Sequence, residues 1–159
     1  MKDIIITIIG ALLGVVFSYI VPAIFDYIKY SKNKNVIGEW NSLWQPKNNV
    51  SGDYVKEKIT ISSSFGKFKF TNSENDLGYS WEGIGYIKYE KHIFGKWKST
   101  KQGAHSKGAF LLSISPQGNF MFGEIVGPND SGAIKNSPFI LGRTDNDISL
   151  AKEWLENNL

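Results

Sequence analysis

From residue 36 to residue 143 the chain alternates between apolar and polar side chains, with turn-forming residues at regular intervals. Successive side chains of a β-strand point to opposite faces of a sheet, so a period of two predicts strands. Segments rich in Gly, Asn, Pro and Ser separate them. We predict eight strands, at Val36–Gln45, Asp53–Ser62, Phe65–Thr71, Gly78–Glu90, His92–Thr100, Gly108–Ser115, Asn119–Val126 and Ala133–Arg143.

The spacing of these strands favours an antiparallel up-and-down arrangement. An open sheet of eight strands leaves two edges with unpaired backbone groups, and closure into a barrel removes both. We therefore predict an all-β domain built as a small eight-stranded antiparallel barrel, with a β-sandwich as the alternative. The interior of such a barrel is filled by side chains or holds one small ligand. Glycines inside strands suit its tight bends: Gly83, Gly85, Gly95 and Gly123.

The alternation also predicts which residues face inward. Phe110, Leu112 and Ile114 share one face of their strand. Phe120, Phe122 and Val126 share one face of the next strand, and Glu124 belongs to the same set. Glu124 is therefore expected at the inner face, where a charge needs a partner, or at the barrel rim. The other acidic residues within strands are expected to pair across strands on the surface: Asp53, Glu57 and Glu82.

A short helix is predicted after the last strand, from Ile148 to Asn157, with Asp147 as its N-cap. Ile148, Ala151 and Leu155, with Trp154 beside them, form one helical stripe. We expect this helix to plug or flank one end of the barrel. A role in binding a partner is the alternative.

The beginning of the chain has a different character. From Ile4 to Phe25 there are 22 residues without a charged side chain. A helix rises about 1.5 Å per residue, so roughly 20 residues cross a hydrocarbon core. The run predicts a single transmembrane helix within residues 1–28, then a polar linker at 29–35 and the barrel domain at 36–159. A cleaved signal peptide or a buried helix fits less well, because the run is long and has no polar face.

The residues around this segment predict its orientation. Lys29, Lys32 and Lys34 follow the apolar run, which places the barrel in the cytoplasm and the N-terminus outside. Within the run, Gly10 and Gly14 form a G-x-x-x-G motif.

Ser18 extends the small-residue stripe of Gly10 and Gly14 by one turn. Small residues four apart let two helices approach closely. This face is therefore a candidate for self-association into a homo-oligomer.

Composition and charge exclude several kinds of chemistry. The chain has no cysteine, which removes disulfides, thiolate metal sites and cysteine nucleophiles. His92 and His105 are its two histidines, too few for a histidine-rich metal site, and we predict no metal and no other cofactor. No set of acid, base and nucleophile stands out, so we do not expect an enzyme. Residues 36–159 hold 14 basic and 13 acidic side chains, and this near-neutral balance argues against a DNA- or RNA-binding surface.

A polar segment from Ser99 to Lys107 carries the densest set of hydrogen-bond donors. Arg143, the only arginine, ends the last predicted strand, and a guanidinium suits phosphates and carboxylates. A phosphate ligand at one mouth of the barrel would use such groups, with aromatic rings stacking on a base. The candidates are Trp40, Tyr86, Trp97, Thr100, His105, Lys107 and Arg143, although a charged residue at such a position is also compatible with a solvated loop.

Five short motifs accompany the apolar segment: Ile37–Trp40, Gly95–Trp97, Gly108–Leu112, Gly118–Gly123 and Leu141–Arg143. With them, the chain resembles the membrane-anchored β-barrel effectors of bacterial cyclic-oligonucleotide anti-phage signalling (CBASS). The resemblance covers nearly the whole chain. It departs from the family at one point, since those effectors typically carry two membrane helices and this sequence has one candidate.

The resemblance implies a function in abortive infection. The barrel would bind a cyclic dinucleotide made during infection, the chain would oligomerise, and the membrane segments would disrupt the bacterial inner membrane. A membrane-tethered, lipocalin-like barrel for a lipid or another small apolar ligand is the alternative. A structural or immunity-type protein whose solid barrel binds another protein is a third possibility.

Overall fold

The computed structural model describes residues 10–11, 13–22, 24, 34–46, 54–64, 66–72, 75, 78–89, 91–129 and 131–158. Contacts divide the chain into two compact units, with the boundary after Lys34, and each unit is described by itself.

The described residues of the first unit, 10–11, 13–22 and 24, are helical. Gly10 and Gly14 are exposed, and a Cβ atom at either position would meet nothing within 4 Å. Ser18 Oγ donates a hydrogen bond to the Val15 carbonyl at 2.7 Å. Among the described residues, no helix is both long enough and apolar enough to span a bilayer. Residues 4–9, 12, 23 and 25 of the predicted span, and most of the predicted linker, lie outside the described residues.

The second unit is a closed barrel of eight antiparallel strands, in which each strand pairs with the next and β1 pairs with β8. The strands are β1 (Gly38–Trp44), β2 (Val55–Ser64), β3 (Lys67–Asn72), β4 (Trp81–Lys88), β5 (His92–Ser99), β6 (Lys107–Ile114), β7 (Phe120–Pro128) and β8 (Ile134–Gly142). The predicted all-β barrel is confirmed, and each predicted strand overlaps an observed one. The β4 strand starts later than predicted because Gly78 and Tyr79 bond with Asn75 in a turn.

The two ends of the barrel differ. The mouth is the end where β1 and β5 finish and β4 and β6 begin, with Trp44 and Trp81 at its edge. The base is the opposite end, where a 3-10 turn (Lys34–Val36) leads into β1 and Arg143 follows β8.

A large aromatic side chain fills the middle of the barrel. Phe110 on β6 lies directly opposite Gly95 on β5, and a Cβ atom at Gly95 would come within 2.0 Å of the Phe110 ring. Gly95 is therefore needed for space at this position. The Phe110 ring packs edge-on against Phe70 and Phe139, so the interior below the mouth is packed with side chains.

The predicted inner face of β7 is wrong. Met121 and Ile125 are buried inside the barrel, whereas Phe120, Phe122 and Glu124 point outward. A shift of one residue moves every side chain of a strand to the other face. Glu124 is exposed and accepts a hydrogen bond from Asn136 Nδ2 at 2.9 Å.

The C-terminal helix (Asp145–Asn158) explains the outward phenylalanines. Its buried stripe packs on the outer wall of β1 and β8, and Phe120 and Phe122 join the same cluster: Leu43, Ile140, Ile148, Ala151 and Leu155. Trp154 stacks against Phe122 with ring centroids 3.9 Å apart. The predicted stripe is confirmed, but the helix covers the side of the barrel and does not plug an end.

The start of this helix also differs from the prediction. Thr144 is the N-cap, because its Oγ1 accepts the Asp147 backbone N–H at 3.2 Å. Asp147 Oδ2 accepts the Thr144 backbone N–H at 3.0 Å in return. The pair forms a reciprocal capping box, in which Asp147 is the third helical residue rather than the cap.

Candidate functional site

The mouth opens into a cavity of about 290 Å³. Aromatic rings form much of its wall: Trp44, Tyr79, Trp81, Trp97 and Phe139. Polar side chains lie among them, from Ser80, Ser99, Lys101, Ser106 and Asn129. Pockets for small molecules typically span about 300–1,000 Å³, so this cavity has room for one ring-sized group.

The fold brings these rings together because three strands present inward tryptophans at the same end. Trp44 is the last residue of β1, Trp81 is the first of β4, and Trp97 lies near the end of β5. The Phe139 ring contacts Trp81 edge-on, with centroids 6.0 Å apart, and also contacts Phe110. Phe139 therefore lies between the cavity and the filled middle of the barrel.

The three indole N–H groups at the mouth have different surroundings. Trp97 Nε1 donates to the Val126 carbonyl at 3.1 Å, and Trp81 Nε1 donates to Glu57 Oε1 at 2.9 Å. Trp44 Nε1 is buried and has no hydrogen-bond partner of normal geometry within the described part of the chain. The Tyr79 ring covers Trp44 edge-on, with centroids 5.2 Å apart. A buried donor without an acceptor of good geometry costs free energy.

Glu57 lies behind these rings at an inward position of β2, and only 7% of it is exposed. Its Oε2 accepts hydrogen bonds from Asn72 Nδ2 at 2.6 Å and Asn75 Nδ2 at 3.1 Å. Burial raises the pKa of Glu57 above its ordinary value, and the hydrogen bonds from Trp81, Asn72 and Asn75 partly oppose this increase. The Trp44 indole is near enough to lower this pKa slightly as well, although it makes no well-formed hydrogen bond.

Four of the predicted binding residues are at the mouth. Trp97 lines the cavity, and Thr100 bonds with Ser80 at the rim through hydroxyl oxygens 2.6 Å apart. His105 and Lys107 are exposed in the segment that contributes Ala104 and Ser106 to the cavity wall. The structure thus brings Trp97, Thr100, His105 and Lys107 to one end of the barrel.

Arg143 and Trp40 lie at the base, so the prediction that Arg143 shares a mouth with Lys107 is wrong. The Arg143 guanidinium stacks over the Trp40 ring at 3.8 Å and donates to the carbonyls of Asn35, Glu39 and Ile37. Partial burial lowers the pKa of Arg143. Because backbone carbonyls occupy its donors, Arg143 closes the base and is not placed to bind a ligand at the mouth.

Tyr86 is on the outer wall, not in the interior. Its side chain is exposed and stacks on Phe94 of the neighbouring strand, with centroids 6.3 Å apart. Inward and outward positions alternate along β4, and Tyr86 falls on the outward set between buried Gly85 and Ile87. A ligand in the cavity does not reach it from inside.

Sequence reasoning missed Glu57, Trp44 and Trp81. Glu57 was expected on the surface, but it shares the inward face of β2 with Val55 and Ile59, while Lys56 and Lys58 point outward. That alternation was the available signal. The expected surface pairing of Glu82 is confirmed, because it pairs with Lys98 at 2.9 Å and Lys69 at 3.6 Å. Asp53 lies outside the described residues.

No family model matches the sequence, and no curated protein matches it. Solved structures with a similar fold include redesigned and ligand-bound barrels. A redesigned β-barrel, b11L5F_LGL, is 14% identical with a TM-score of 0.52, and the match covers 71% of this chain and 95% of that one.

Two further similar structures contain the compound DFHBI. The redesigned barrel mFAP1 is 10% identical with a TM-score of 0.53, and the match covers 70% of this chain and 97% of that one. EF1p2_mFAP2b is also 10% identical, with a TM-score of 0.58 and coverage of 70% and 95%. At these identities the similarity establishes the barrel fold alone.

Proposed function

We propose that this chain is a ligand-binding barrel that admits one planar ring through its mouth. The observation that carries the proposal is the cavity of about 290 Å³ whose wall is formed largely by aromatic rings. Stacking on aromatic side chains contributes about 1–3 kcal/mol per ring.

The charges around the mouth indicate which part of the ligand enters. Behind the rings lies the carboxylate of Glu57, so an anionic group is disfavoured inside. The rim carries the cations of Lys101 and Lys107. This pattern favours a neutral ring inside and negative groups outside, which is the arrangement of a nucleobase joined to phosphate.

A cyclic dinucleotide combines these features, and we propose it as the ligand class. It offers two flat bases and two phosphate charges, and one base fills a ring-sized cavity while the rest stays at the rim. Two stacked or hydrogen-bonded contacts and one charge-assisted bond of about 1.5–3 kcal/mol are compatible with micromolar affinity.

The apolar segment Ile4–Phe25 completes the proposal as a membrane anchor. Confinement to a bilayer raises the local concentration of the chain, which favours assembly through Gly10, Gly14 and Ser18. A ligand drives such assembly only if it binds the assembled state more tightly. Disruption of the inner membrane by the assembled helices would then make the chain an anti-phage effector.

Titration calorimetry on the full chain in nanodiscs tests the ligand class. Cyclic di-AMP, cyclic di-GMP and cyclic GMP–AMP are compared with oleate, which represents the lipid alternative. We expect heat and a thermal shift with at least one cyclic dinucleotide and none with oleate. Binding of oleate alone would instead favour the lipocalin-like alternative, and no response to any nucleotide contradicts the proposal.

A matched pair of tryptophan variants locates the binding site. Trp44→Phe replaces the indole with a smaller ring and so reduces the stacking surface of the cavity wall, and we expect affinity for the cyclic dinucleotide to fall about fivefold. Trp154→Phe on the outer wall is the control and should bind normally. Equal affinities in both variants would place the ligand away from Trp44.

Replacement of both Gly10 and Gly14 by Leu tests the assembly face separately. Leucine prevents the close approach that small residues permit, so we expect weaker self-association in crosslinking experiments and an unchanged nucleotide affinity. Undiminished crosslinking would exclude packing through this face.

A further inference from the structure

Glu57 is a buried carboxylate without a positive partner. None of the ion pairs among the described residues involves it. Buried charges normally pair with opposite charges, because burial removes solvation that is costly to lose. At Glu57, hydrogen bonds alone replace the lost water.

All four hydrogen-bonding partners of Glu57 donate to it. Oε1 receives Trp81 Nε1 at 2.9 Å and Ser42 Oγ at 3.5 Å, and Oε2 receives the amides of Asn72 and Asn75. An ionised carboxylate only accepts hydrogen bonds and has about four acceptor sites, so this ring of donors matches the charged form.

Protonation of Glu57 would weaken one hydrogen bond in particular, the one that Trp81 Nε1 donates to Oε1. The Asn72 and Asn75 amides donate through nitrogen, and their oxygens already accept the backbone N–H groups of Trp81 and Tyr79. The Ser42 hydroxyl can donate and accept through the same atom, and it lies beside Oε1. A proton on Oε1 would turn toward Ser42, and that oxygen would then be a weaker acceptor for the Trp81 indole. Trp81 lines the cavity, so the change reaches the wall of the mouth.

We propose that Glu57 is a positioning residue: its ionised carboxylate holds the Trp81 indole in the wall of the mouth, and protonation releases it. The mouth then has its binding geometry while Glu57 is ionised and loses it when Glu57 takes up a proton. Only the effect on ligand affinity rests on the proposed function, because the movement of Trp81 needs no ligand.

Within the described residues, the side chains that surround Glu57 include no charged group. Ser42 on β1, Asn72 on β3 and Trp81 on β4 are neutral, and Tyr79 beside Asn75 carries a phenol. The charged groups of these elements face away from it: Lys56, Lys58, Lys69 and Glu82 lie on the outer wall, and Lys101 lies at the rim.

Indole ¹⁵N–¹H spectra of the full chain in detergent micelles test the proposal without a ligand. We expect the Trp81 resonance, assigned with Trp81→Phe, to shift as the pH falls through the pKa of Glu57. Trp40 and Trp97 donate to backbone carbonyls and serve as internal controls whose resonances stay in place. A Trp81 resonance that does not titrate, or that moves together with both controls, would overturn the proposal.

Glu57→Gln provides the matched variant, because it keeps the shape of the side chain and removes the ionisation. We expect the Trp81 titration to disappear in this variant. If the variant does not fold, the wild-type titration against its two internal controls still decides the question.

The affinity for the ligand provides a second measurement of the role of Glu57. For the cyclic dinucleotide that binds at neutral pH, we expect about a fivefold loss on acidification, as for one lost wall contact, and no such pH dependence in Glu57→Gln. If no nucleotide binds at any pH, the proposed function fails, while the spectra still test Glu57. An affinity that does not change with pH while Trp81 titrates would contradict the link from Glu57 to the mouth.

Discussion

The mouth and the base of the barrel both combine tryptophan with a charged side chain, but they do so in opposite ways. At the base, the Trp40 indole donates to the Val36 carbonyl at 2.8 Å, and Arg143 stacks on its ring with its donors on backbone carbonyls. At the mouth, the carboxylate of Glu57 is held by side-chain donors, and Trp44 has an N–H without a well-formed bond.

By our proposal, the difference separates a structural end of the barrel from a binding end. Trp40 is almost completely buried and its polar groups are satisfied within the chain, so no part of the base needs a ligand. The rings of the mouth enclose open space, and one of their donors, Trp44 Nε1, makes no well-formed hydrogen bond. Unsatisfied groups beside a cavity are typical of a binding site, whereas satisfied groups without a cavity stabilise the fold.

The largest effect is expected from Trp40→Ala at the base. Truncation of a buried tryptophan leaves a cavity and costs about 3–5 kcal/mol of unfolding free energy. Urea denaturation followed by circular dichroism measures this loss. A cost below about 1 kcal/mol would mean that the base does not hold the barrel together.

A smaller effect, on binding instead of stability, is expected from Tyr79→Ala at the mouth. Tyr79 is 42% exposed, so its removal should change the unfolding free energy by less than about 1 kcal/mol. Loss of a stacking wall should weaken cyclic-dinucleotide binding by about 1–3 kcal/mol, measured by calorimetry.

Tyr86→Ala on the outer wall is the control for Tyr79→Ala, since Tyr86 is exposed to a similar extent but faces away from the cavity. It should bind the nucleotide normally. A loss of affinity in both variants, or in Tyr86→Ala alone, would move the binding site to the outer wall and remove the contrast between mouth and base.

The smallest expected effect is on the pH dependence of the unfolding free energy. Because burial raises the pKa of Glu57, the folded chain binds this proton more tightly than the unfolded chain does. The stability that Glu57 contributes is therefore full below its ordinary pKa of 4.5 and declines as the pH rises through the higher folded value.

The difference in unfolding free energy between wild type and Glu57→Gln isolates this contribution of Glu57. Lys98 lowers the pKa of Glu82 below its ordinary value of 4.5. The Lys98–Glu82 pair therefore loses its contribution to stability only below pH 4.5, outside the pH range of this comparison. A wild-type stability relative to Glu57→Gln that rises with pH above 4.5 would contradict the assignment. Acid thus strengthens the fold at Glu57 while, by our proposal, it loosens the mouth.

Much of the barrel could be predicted from the sequence. The period of two placed all eight strands and the inward residues Phe110 and Leu112 of β6, because a strand with one buried face must alternate. The same rule failed on β7, where the C-terminal helix covers Phe120 and Phe122 on the outer wall. Apolar residues then occupy both faces, and alternation no longer distinguishes inside from outside.

Only part of the candidate site could be predicted from the sequence, since its residues are far apart in the chain. The segment from Ser99 to Lys107 was expected near a mouth and lies there, because its local composition marks a polar loop. Arg143 was assigned to the wrong end because strand direction was not followed around the barrel: β8 runs antiparallel to β1 and finishes at the base, whereas β5 finishes at the mouth. From the sequence, Glu57 is expected to be a surface acid. The structure shows that it is buried, with its carboxylate surrounded by four donors from other parts of the chain.

What the sequence determined by itself is local: strands, turns, the helical stripe and the apolar first segment each follow from the pattern of neighbouring residues. Closure of the sheet decided the rest, since pairing β1 with β8 sets which inward side chains share one end. Whether Trp44, Trp81 and Glu57 meet at a cavity depends on strand register and on the bulk of Phe110 and Phe139. These are long-range properties that no single stretch of the chain contains.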